Sequence, residues 1–177
     1  GNSLNKCAFQ NASLILSVEI CKELICMACS VGAEDIFLNA ADHVESLGLA
    51  EVLASSGSLV KNYFPAASIT FSPWREDPNT RLWFEEDSLD LAIHFPGWSP
   101  RLQCRSLLIQ LRVIKVRPDT SPRLLGVIMR GVTFHGERWK LATIGDWNLT
   151  GSHLPQPSVI KQLRSLCYDL FALFPSD

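Results

Sequence analysis

The sequence predicts a two-layer α+β domain, with helices at both ends and a mainly antiparallel sheet of about five strands packed against them. Three observations lead there. Residues 11–64 carry apolar side chains at three- and four-residue spacing, and residues 66–147 change to period two. Residues 157–174 return to a helical period with one apolar face. Between the strand candidates lie turns too short for a crossover, so neighbouring strands are expected to be antiparallel. With 47% apolar and 19% charged residues in 177, the chain can bury one core, and disorder is excluded as its main state. Residues 1–177 therefore read as a single domain.

Asn11 or Ser13 is a plausible N-cap for a first helix running to Val31. Its polar residues Glu19, Lys22, Glu23 and Ser30 form only a narrow stripe, so the helix is expected to be central or covered by a partner chain. A second helix is predicted over residues 34–47, with Ile36, Phe37, Ala40, Val44 and Leu47 on one face. A third covers residues 49–64, weakened by Ser55-Ser56-Gly57-Ser58 and stopped by Pro65. Strands are predicted over residues 68–72, 82–85, 88–95 (ended by Pro96-Gly97), 104–117, 124–134 and 139–144. Turns fall at residues 118–122 and at His135-Gly136-Glu137-Arg138. Pro155 and Pro157 announce the last helix, whose face is Val159, Leu163, Leu166, Cys167, Leu170, Phe171 and Phe174.

Net charge is −2, but its distribution is uneven. Residues 1–100 hold 5 Lys/Arg against 13 Asp/Glu, a net of −8, while residues 101–177 hold 11 against 5, a net of +6. Over residues 101–140, nine Lys/Arg face only Asp119 and Glu137. No stretch carries the roughly 18 uninterrupted apolar residues that a spanning helix needs, and residues 1–10 lack the order of a secretory signal, so a cytoplasmic chain is expected. The six cysteines are too few and too scattered for a disulfide scaffold.

Candidate chemistry is sparse. Cys21, Cys26 and Cys29 have iron–sulfur spacing, but they lie in a glycine-free helical run where no loop can wrap a cluster, so core cysteines are expected. The histidines His43, His94, His135 and His153 never fall at a metal-ligand spacing, and neither metal nor cofactor is predicted. No nucleophile elbow, P-loop or dinucleotide fingerprint is present, so no catalytic residue is named and the chain leans away from enzymes. Asp90 on one strand and Gln110-Leu111-Arg112 on the next resemble the layout of a metal-dependent nuclease. There, however, the second carboxylate and the lysine are both replaced, which leaves a hairpin with acidic flanks.

Three functional readings follow. The leading one is a non-catalytic interaction or scaffold domain, homodimeric through helix 11–31. The second is a nucleic-acid or anion-binding module on the basic strands 101–140, with Arg112, Arg130 and Arg138 side by side on successive strands. The third is a small-molecule binder or enzyme with a groove near residues 74–98, walled by Trp74, Trp83, Phe95 and Trp98.

Overall fold

A computed structural model describes residues 47–73, 82–83, 88–114 and 122–174. Helix 11–31 and nearly all of helix 34–47 lie outside these described residues, as does Trp74. Helix α1 is Leu47–Tyr63 and helix α2 is Pro157–Leu173. Between them run β1 (Ser68–Thr70), β2 (Ser88–Ser99), β3 (Cys104–Ile114), β4 (Arg123–Thr133), β5 (Gly136–Ala142) and β6 (Leu149–Gly151). The six strands form one sheet in the order β1-β2-β3-β4-β5-β6, every pair antiparallel. The α+β class and the antiparallel sheet are as the sequence predicts, and among the described residues the sheet has six strands, close to the expected number of about five.

The serine cluster does not weaken α1. Ser56 is fully buried and turns its hydroxyl back onto the Val52 carbonyl at 2.8 Å, so its polar group is satisfied within the helix. Ala50, Leu53, Ala54 and Val60 place the buried face at helical spacing, and Pro65 blocks continuation.

Period two sorts the sheet residues onto two faces. On the inner face the register sets Leu91, Ile109, Met129 and Leu141 in one row across four strands. Ile93, Leu107, Gly131 and Trp139 form the next row. These side chains join Leu53 and Val60 of α1 with Val159, Leu163, Leu166, Cys167 and Leu170 of α2 in one core. Burying each such aliphatic side chain contributes about 1.5–3 kcal/mol. The helices are also tied to each other: Gln162 Nε2 donates to the Tyr63 carbonyl at 3.1 Å, and Tyr63 Oη donates to Asp169 Oδ2 at 2.6 Å. Among the described residues no helix is long and apolar enough to cross a membrane.

Several boundaries differ from expectation for identifiable reasons. Pro96-Gly97 does not end β2, which runs on to Ser99. The β2–β3 register shifts between His94 and Ser99, and β1 pairs β2 no further than His94, so the missing Pro96 amide interrupts no ladder. Leu82 and Trp83 form a turn rather than the start of a strand. The β4–β5 reversal is tighter than predicted, with Phe134 and His135 at its tip. Gly136 takes φ +112°, which lets the chain turn back at once and start β5 three residues before Trp139. Strand β6 is only three residues long, too short to show a period.

Candidate functional site

The outer face of the sheet carries a buried polar chain that alternation alone would place in solvent. Ser88, Asp90 and Gln110 are 3%, 1% and 0% exposed. Ser88 Oγ donates to Asp90 Oδ1 at 2.7 Å, and Gln110 Nε2 reaches Asp90 Oδ2 at 3.4 Å. The same amide nitrogen donates to the Trp83 carbonyl at 2.7 Å, while Gln110 Oε1 accepts from Arg130 Nε at 3.1 Å. Arg130 then pairs with Glu137 at 2.5 Å. Trp83 lies over this row, against Ala92 and Leu108, with the Arg130 guanidinium carbon 5.9 Å from its ring centroid. The register explains the assembly, because Asp90 pairs with Gln110, and Arg130 sits one row on, opposite Leu108.

Gln110 is the hinge of that chain, so its loss should be felt at both ends. Gln110→Ala is expected to destabilise the fold by about 2–3 kcal/mol, because it removes a partner from a buried carboxylate, a half-buried guanidinium and a backbone carbonyl. Urea denaturation followed by Trp fluorescence checks this, and a change below about 0.5 kcal/mol, the size of an ordinary surface effect, would contradict it.

The sequence-predicted residues do not gather at one point. Arg112 pairs with Ser88 and with Gly126, four positions along β4 from Arg130, or about 13 Å at the usual rise. The register thus sets Arg112 and Arg130 apart rather than side by side, and Arg130 is neutralised by Glu137 of its own basic segment. Arg138 fills the bulge between Glu137 and Trp139, with its guanidinium carbon 5.6 Å from the Trp98 ring centroid and its buried Nε unpartnered among the described residues. Of the aromatic residues, Trp83 packs on the outer face, Phe95 packs against the inner core, and Trp98 is 47% exposed.

Two features escaped sequence reasoning. His94 Nδ1 lies 2.9 Å from Ser106 Oγ across β2 and β3, an exposed pair set mid-strand without the sharp turn of a nucleophile elbow. The other is a cleft of about 200 Å³ between the end of α1, the β2–β3 turn and the first turn of α2. Phe64 and Phe95 meet edge to face in its wall, centroids 5.7 Å apart at 78°. Leu102 and Val159 line it as buried side chains, and Tyr63, Ser99, Arg101 and Gln162 are its polar lining residues. Only the aromatic character of residue 95 signalled it, since its other walls come from distant parts of the chain.

Among the described residues no group of three His, Cys, Asp or Glu could hold a metal ion. Cys104 and Cys167 are free and buried, and burial pushes each thiol up to about 12, with a backbone hydrogen bond at Val132 opposing this for Cys104. A thiol so placed is not a nucleophile at neutral pH.

Among the described residues a six-stranded antiparallel meander with two helices on one face defines an α+β domain, not one of the nucleotide-cradling parallel-sheet folds. Residues 41–176 match a family described as a domain of unknown function, and the chain belongs to that family. No curated protein and no solved structure matches it. Residues 11–31 precede the matched region.

Proposed function

We propose that this chain is a non-catalytic interaction domain of the cytoplasm, acting as a twofold homodimer with residues 11–31 as the seam. The observation that carries the non-catalytic reading is the outer-face chain. Asp90, Gln110, Arg130 and Glu137, the groups best suited to acid, base or electrostatic roles, are engaged with one another beneath Trp83. Such a network rigidifies a sheet and fixes Trp83 against it. Cys104 and Cys167, free and buried among the described residues, support a reducing compartment. The dimer is supported by the sequence of residues 11–31, whose narrow polar stripe leaves apolar surface beyond what one fold needs.

Sedimentation equilibrium tests the reading directly. The full chain is expected to be dimeric at tens of micromolar, where typical specific dimers persist. Replacing Leu16 and Ile20 with Asp is expected to yield a monomer whose sheet remains folded by circular dichroism. A full chain that sediments as a monomer in that range removes the homodimer from the reading.

A further inference from the structure

We infer that the cleft between α1, the β2–β3 turn and α2 is a binding site for a small carboxylate with an aromatic body. Its volume of about 200 Å³ suits one ring and a short side arm, somewhat more than the roughly 150 Å³ cavity that holds benzene. Apolar walls with few polar groups are the usual composition of such sites. Here Phe64 and Phe95, already edge to face, offer a bound ring two aromatic neighbours, and Leu102 and Val159 form an apolar floor.

The charge of the rim selects an anion. Arg101 lines the cleft with an exposed side chain, and among the described residues its guanidinium has no hydrogen-bond or ion-pair partner. A guanidinium presents paired donors that match a carboxylate in a bidentate fork. Lys61 adds a second positive charge nearby, its ammonium donating to the carbonyl of Ala67, another lining residue. The carboxylate of Asp169 is engaged by the Tyr63 hydroxyl. Gln162 lines the cleft with its amide nitrogen already donating to the Tyr63 carbonyl. The Arg101 backbone is pinned independently, its carbonyl accepting from the Gln156 amide at 2.9 Å. The guanidinium can therefore be changed without moving the turn that carries it.

The site does not depend on self-association and is tested separately from it. The full chain is titrated with 3-phenylpropionate, with 3-phenylpropionamide and propionate as controls, followed by amide chemical shifts. Saturable shifts centred on Ala67, Leu102, Val159 and Gln162 are expected, with a Kd of about 0.1–1 mM, a range reasonable for a ligand of this size. The neutral amide is expected to bind at least about tenfold more weakly, and Arg101→Gln to weaken the acid by a similar factor, as loss of a charge-assisted pair implies. Phe95→Leu keeps an apolar wall and is expected to weaken the acid severalfold while leaving the fold intact. Absence of saturation at 10 mM, about ten times the weakest expected Kd, would overturn the assignment. So would equal binding of propionate, which means an adventitious ion only, or unchanged affinity in Arg101→Gln.

Discussion

Trp139→Ala is expected to destabilise the domain by about 3–5 kcal/mol, the cost of emptying a large aromatic site in a packed core. Trp139 is fully buried, and its indole Nε1 donates to the Leu102 carbonyl at 2.6 Å. The side chain thus ties β5 to the β2–β3 turn as well as filling space. Its ring crosses Gly131, where an added Cβ would come within 2.3 Å of Cε2 and Nε1. Gly131→Ala is therefore expected to cost about 1–3 kcal/mol by overpacking. Trp139→Phe, which keeps a ring but leaves the Leu102 carbonyl unpaired, should fall between wild type and alanine. Denaturant midpoints of the three variants check the order. Equal stability of the alanine and wild-type chains would show that the core closes without this side chain.

The second large effect is alkaline. Burial pushes Cys104 and Cys167 from an ordinary 9.0 up to about 12. Because the folded thiol holds its proton more tightly than the unfolded one, the stability this represents is fully present below pH 9. It is lost as pH rises through 12. At 1.36 kcal/mol per pH unit, each thiol contributes about 4 kcal/mol over that window. Two such groups are comparable with the whole stability of a domain of this size, 5–15 kcal/mol. Tyr63 acts in the same direction, raised to about 12 chiefly by its hydrogen bond to Asp169, but that pair is exposed and adds little. Urea midpoints are expected to fall steeply between about pH 9 and 12, the thiol window. The double variant Cys104→Ala, Cys167→Ala should show a flatter profile from a lower starting stability. A wild-type profile as flat as that of the variant would refute the account.

The sheet was legible where apolar alternation is long and turn residues are strong. Leu107, Ile109, Leu111 and Val113 show their face by spacing alone, as do the residues of α2. What the sequence hid was set by contacts between distant segments. Strand β2 crosses Pro96 only because no neighbour needs that amide, which depends on where β1 stops. The arginines were separated by register, and a register cannot be read from either strand alone, since bulges at Arg112–Val113 and Gly131–Val132 shift it. Gln110 gave no sign that it would join a carboxylate two strands away from its arginine. The cleft unites residues 63–67, 95–102 and 159–162, three stretches with no common local pattern.

Each strand lies beside its neighbour in sequence, whereas α1 and α2 meet across 106 positions from Tyr63 to Asp169. A chain leaving the ribosome can therefore zip its sheet hairpin by hairpin, each closure from β2 onward spanning a short loop. The part of the inner face that Val159, Leu163, Leu166 and Leu170 cover stays open until α2 emerges and docks. Throughout that interval the nascent sheet is a surface for chaperones and for other nascent copies. Late sealing, rather than slow strand pairing, is where synthesis of this domain is exposed to aggregation.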